Sequence, residues 1–80
     1  MHDLHLANQI VTLARSYAQK RRMKIIKKLK IVLGNFYEHG AIVTDENLKF
    51  NIKLLLGNGA DVVIEKKKGE EWELVEVEGE

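Results

Sequence analysis

The chain predicts an α+β fold: a three-stranded mixed sheet with two helices packed on one face, in the order α-β-α-β-β. Three observations carry this. Two stretches repeat their apolar residues at three- and four-residue spacing, as a half-buried helix requires. Three shorter stretches alternate apolar with polar residues, as strands do. The second helix lies between the first two strands, so those strands should run parallel, joined by a crossover.

The first helix is expected over about residues 4–22. Leu4, Ala7, Ile10, Val11, Ala14, Tyr17 and Ala18 form one apolar face. Asp3 suits the N-cap, and Lys20, Arg21 and Arg22 suit the negative pole at the other end. A strand follows over about residues 27–33, with Leu29, Ile31 and Leu33 alternating with Lys28, Lys30 and Val32. Gly34-Asn35 ends it, and residues 36–43 read as a loop, with Gly40 permitting a positive φ.

Thr44 is the expected N-cap of the second helix, with Asp45 and Glu46 in its first turn. Leu48, Ile52, Leu55 and Leu56 mark its buried stripe, Phe50 and Leu54 lie at the margins, and Gly57-Asn58-Gly59 stops it. Residues 60–67 form the next strand, with Val62 and Ile64 on one face. Residues 72–78 form the last, with Val75 and Val77 on one side and Leu74 on the other. Lys68-Gly69-Glu70 is the expected turn of a hairpin joining these two strands. Trp72, the one tryptophan, should be largely buried.

Composition bounds the function. Eighty residues read as one domain with a thin core. The absence of cysteine removes disulfides and cysteine zinc sites. The net charge is +1, yet residues 20–30 hold seven bases and no acid, whereas residues 70–80 hold six acids and no base. No apolar run is long enough to cross a bilayer and no signal-peptide pattern opens the chain, so a cytoplasmic protein is the default. The basic run offers a grip on phosphates, but Met23, Ile25 and Ile26 interrupt it, and strand alternation sends Lys28 and Lys30 to one side. A solvated sheet flank is the simpler reading. Phosphate-cradling glycine motifs are absent. No Ser-His-Asp or Cys-His set suggests itself, and the sole serine, Ser16, sits in a helical pattern. His39 beside Glu38 has the residue types for acid–base chemistry, but neighbours in a loop usually point apart. The chain does not read as an enzyme.

The most specific chemistry lies at Met1-His2-Asp3. A free amine, the backbone nitrogen of His2 and its imidazole can close two fused chelate rings. Such nitrogen and oxygen donors in a tetragonal arrangement favour Ni(II) or Cu(II) over Zn(II). His5, three residues on, would face the same way on a helix, as an extra ligand or as an ordinary exposed histidine. Against all of this, a histidine at position two is commonly accidental.

The chain as a whole resembles the nickel-binding domain of the HypA-like hydrogenase maturation proteins. The likeness runs through Met1-His2-Asp3-Leu4, Ala7-Asn8-Gln9-Ile10-Val11, Leu29-Lys30-Ile31-Val32-Leu33-Gly34 and Thr44-Asp45-Glu46-Asn47-Leu48-Lys49-Phe50. It continues through Gly59-Ala60-Asp61-Val62-Val63-Ile64-Glu65 and Glu73-Leu74-Val75-Glu76-Val77-Glu78. It implies a nickel metallochaperone that binds Ni(II) through Met1, His2 and Asp3, and works with nickel-enzyme maturation proteins or a hydrogenase precursor. Two departures matter. Asp3 stands where the family has glutamate. The family's zinc domain, with two Cys-x-x-Cys pairs, is missing between about residues 66 and 71, so no zinc is expected and residues 1–80 form one nickel-binding-type domain. A sheet covered on one side leaves edges open, so homo-oligomerisation is expected to be possible. The rival readings are a structural or adaptor domain that kept the fold, and a small basic-faced nucleic-acid module. A membrane role is not expected.

Overall fold

A computed structural model describes residues 5–35, 37–38, 41–57 and 59–80; side chains at positions 37, 38 and 41 are not described. The elements are α1 (His5–Lys20), β1 (Ile26–Leu33), β2 (Tyr37–Glu38), β3 (Ala41–Ile42), α2 (Asp45–Leu56), β4 (Asp61–Lys66) and β5 (Trp72–Gly79). The main sheet has the order β4-β1-β5. β4 runs parallel to β1, as the intervening helix predicts, and β5 runs antiparallel to it. Both helices pack on each other and on the face that carries Leu29, Ile31, Leu33 and Val62. The α+β arrangement read from the sequence is therefore the observed one.

Helix α1 buries Leu6, Ala7, Ile10, Val11, Ala14 and Ala18. Tyr17 sits at the flank of this stripe, 46% exposed, and Leu6 takes its place inside. The helix ends in a Schellman turn. Met23 N–H donates to Ala18 O at 2.8 Å, and Arg22 holds a left-handed φ of 59°. An arginine in that position meets a steric penalty that glycine escapes.

Thr44 caps α2 as its sequence suggests: Asn47 N–H donates to Thr44 Oγ1 at 3.2 Å. Gly57, at φ 68°, closes the other end by donating to Lys53 O at 2.9 Å. Leu48 and Ile52 are fully buried, while Leu55 and Leu56 are partly buried against them. Asn51 is buried too, its side-chain amide donating to Asn47 O at 2.8 Å, so its polar group is satisfied within the helix.

Three expectations are corrected. First, β4 and β5 do not form a hairpin, because β1 lies between them. Residues 67–71 instead cross the end of β1, with Lys67 N–H donating to Leu33 O, Asn35 N–H to Gly69 O and Gly34 N–H to Glu71 O at 2.7–2.9 Å. Five residues span the roughly 10 Å of two strand spacings with ease. The crossing is close: a Cβ on Gly34 would lie 2.6 Å from Gly69 O. The physical reason for the order is apolar content, since the strand with Leu29, Ile31 and Leu33 all fully buried belongs in the middle. Second, Leu74 and Val77 share the core face, and Val75 is left outside. A bulge between the pairs Lys30↔Glu76 and Ile31↔Leu74 shifts the alternation of β5. A second irregularity, at Lys27, lets Ile26 and Leu29 both point inward, so β1 starts before residue 27. Third, the segment read as a loop contains a two-residue ladder, Tyr37↔Ile42 and Glu38↔Ala41. Trp72 packs against the core at the sheet margin with most of its surface covered, as the sequence suggests.

Ile52→Ala should cost about 2–5 kcal/mol of unfolding free energy, and Leu54→Ala, at a site 57% exposed, well under half of that. Urea midpoints that fall equally for both would show that α2 buries a different stripe. Arg22→Gly should raise stability by up to about 1 kcal/mol, because it relieves the left-handed residue of the α1 cap. A lower melting temperature would show that the arginine side chain contributes more than its backbone strain costs.

Candidate functional site

The residues expected to hold nickel divide between two zones. Met1, His2 and Asp3 lie outside the described residues. His5 opens α1 and is exposed, on a surface it shares with Asn8, Gln9, Thr12, Leu13 and Ser16. Ser16 is thus exposed. Among the described residues, no group of three or more His, Asp or Glu side chains is placed to hold a metal ion. The other histidine weighed for chemistry, His39, lies outside the described residues.

The two blocks of opposite charge meet on the sheet. Register places Lys28 between Asp61 and Glu78, and Lys30 between Val63 and Glu76. Lys30 Nζ lies 3.3 Å from Glu65, and Lys27 Nζ lies 2.8 Å from Glu80. Each exposed pair adds little to stability, about 0–1 kcal/mol. Together they decide the character of the face: an alternation of lysine and carboxylate, with Val32 and Val63 between. The solvated-flank reading of Lys28 and Lys30 holds. Sequence order alone hides this pairing, because β1 and β5 are separated by some 40 residues and only register brings them together.

The remaining bases cluster at the far end of α1. Arg15 donates through its guanidinium to Leu55 O at 2.9 Å and so closes the C-terminal turn of α2. Beside it, Arg15, Gln19, Met23, Lys24, Ile25 and Leu56 line a shallow depression of mixed polarity. No described helix is long and apolar enough to cross a membrane.

No protein-family model matches the chain. Curated relatives do. The hydrogenase maturation factor HypA of Pyrococcus abyssi is 34% identical over 85 residues, covering 96% of this chain and 61% of that protein. That of Thermococcus onnurineus is 33% identical over 87 residues, covering 99% of this chain and 63% of its own length. The HypA of Pyrococcus furiosus is 28% identical, with 96% of this chain and 61% of that protein covered. The chain is HypA-like. It spans about three fifths of the length of these relatives, and the likeness takes in both helices and all three strands of the main sheet.

In this HypA-like chain the charge pattern of the sheet has a direct consequence. Glu76→Lys would set a lysine directly across from Lys30 and should lower stability by about 0.5–1 kcal/mol, more at low salt than at high. A salt-independent midpoint in that variant would show that the register charges do not interact.

Proposed function

We propose that this chain is a nickel-binding accessory protein in the maturation of a nickel enzyme such as hydrogenase. The observation that carries the reading is the likeness to HypA maturation factors over 96% of the chain, whose sequence opens Met1-His2-Asp3. In this reading nickel is cargo. The amine of Met1, the backbone nitrogen and imidazole of His2, and the carboxylate of Asp3 hold it, with His5 as a further donor. Its partners are the nickel-enzyme maturation proteins or the hydrogenase precursor, its place is the cytoplasm, and the chain itself catalyses nothing. Residues 1–80 act as one nickel-binding-type unit, and the short crossing at residues 67–71 stands where the family carries its zinc module, so zinc plays no part.

The second reading is an adaptor that kept the fold and lost the cargo. A nucleic-acid module is the weaker alternative, because carboxylates flank the lysines of β1.

Titration with Ni(II) separates these readings. Protein with a native amino terminus should bind one ion, and protein carrying one extra residue there should not. His2→Ala should abolish binding, and Asp3→Ala should weaken it less, since water can replace a carboxylate. Affinity should fall as pH drops through about 6.5, where protons compete for imidazole and amine. A yellow, low-spin spectrum would report the backbone nitrogen as a ligand; a pale-green octahedral one would point to side chains such as His5. Unchanged affinity in His2→Ala would remove the amino-terminal site, and absence of binding in every form would favour the adaptor.

A further inference from the structure

β5 is bonded to β1 along one edge, and among the described residues no strand covers the other. Along that open edge runs a groove of about 270 Å³, lined by Tyr17, Arg21, Leu74, Val75, Glu76 and Val77. Val75 is 51% exposed there, and Tyr17 of the α1 flank is exposed beside it. An unpaired edge next to an apolar helix flank is a template for an added strand. We infer that this edge receives an extended segment of a partner protein whose side chains alternate between basic and apolar.

The side chains dictate that chemistry. On the open face of the sheet β5 presents Glu73, Glu76 and Glu78; on the core face it presents Trp72, Leu74 and Val77. A strand lying beside it would set one alternate row of side chains against the carboxylates and the other against Leu74, Val77 and Tyr17. β1 does this on the opposite edge, with Lys28 and Lys30 across from Glu78 and Glu76, and Leu29 and Ile31 across from Val77 and Leu74. Arg21, at the helix side of the groove, repels a lysine that would enter with the wrong face. A second copy of the chain is a poor occupant. Two β5 edges paired antiparallel with their core faces aligned set the row Glu73, Glu76 and Glu78 against the same row, and like charges directly opposite destabilise. This inference does not depend on the metal reading.

The experiment uses the full 15N-labelled chain and a synthetic peptide of about seven residues, the length of an ordinary strand, alternating lysine with valine or isoleucine. Saturable amide shifts over residues 71–79 and at Tyr17, with slower hydrogen exchange in β5, support the proposal. A peptide with glutamate in place of lysine, and one of the same composition with its lysines in a block, should both bind much more weakly. Glu76→Gln combined with Glu78→Gln should weaken the lysine peptide about two- to tenfold. Val75→Pro, a substitution edge strands tolerate, should block it. Should that variant unfold, the glutamine pair still decides. Equal binding of the blocked peptide, shifts confined to β4 or the open face, or no shifts at all would overturn the proposal. So would a dimer in sedimentation whose β5 amides are protected without peptide.

Discussion

Burial of β1 between two strands and beneath two helices is the constraint on which the other elements depend. Leu29, Ile31 and Leu33 are inaccessible, and each is level with a residue of β4 and a residue of β5. At roughly 1.5–3 kcal/mol for each fully buried aliphatic side chain, this row supplies a large part of what a small domain can gather. The two bulges follow from it. β1 must turn Ile26 inward as well as Leu29, and β5 must turn Leu74 inward as well as Val77, and neither is possible with unbroken alternation. The crossing at residues 67–71 follows too, since a chain that places its most apolar strand in the centre has to carry its last strand around the end of it.

The same arrangement settles the charge. Seven bases in residues 20–30 and six acids in residues 70–80 look, on paper, like two separate patches. Folding sets β1 beside β5, so part of each block neutralises part of the other, and a phosphate ligand meets carboxylates wherever it meets Lys28 or Lys30. What survives as net character is local: an acidic row along β5 and a basic end around Arg15, Arg21 and Lys24. The interaction chemistry of the chain is therefore set by strand register rather than by composition.

Local signals were legible in the sequence, and of the long-range strand pairings only one was. Thr44 and Gly57 mark the ends of α2 through short-range hydrogen bonds and a left-handed residue, which depend on neighbours a few positions away. The parallel pairing of β1 with β4 is also legible, because a helix between two strands leaves few alternatives. The position of β5 is not: tight-turn residues at Lys68-Gly69-Glu70 suggest a hairpin, and only the competition for the central place in the sheet overrules them. Bulges are likewise invisible, since Val75 and Val77 differ in nothing but register. At the site, His5 could be placed on the first turn of a helix from spacing alone, and its exposure agrees with that. Its relation to His2 and Asp3 rests on residues outside those the structure describes. Leu6 was missed because Leu4, at the opposite edge of the stripe, already met the three-residue spacing to Ala7.

That missed residue bears on the metal reading. Leu6 is inaccessible and Ala7 beside it is equally so, which fixes the first turn of α1 to the core. The first turn of α1 contains no acidic residue, so a cation bound close to its amino-terminal pole, where the helix dipole is positive, would meet an unfavourable field. Anionic ligands would offset that field. In the proposed site these are Asp3 and a backbone nitrogen that has given up its proton. Under the proposed reading an acid at position three would be more than one donor among four, because it would supply negative charge against the pole of the helix. Shortening that acid from glutamate to aspartate keeps the charge and brings it one methylene closer to the backbone.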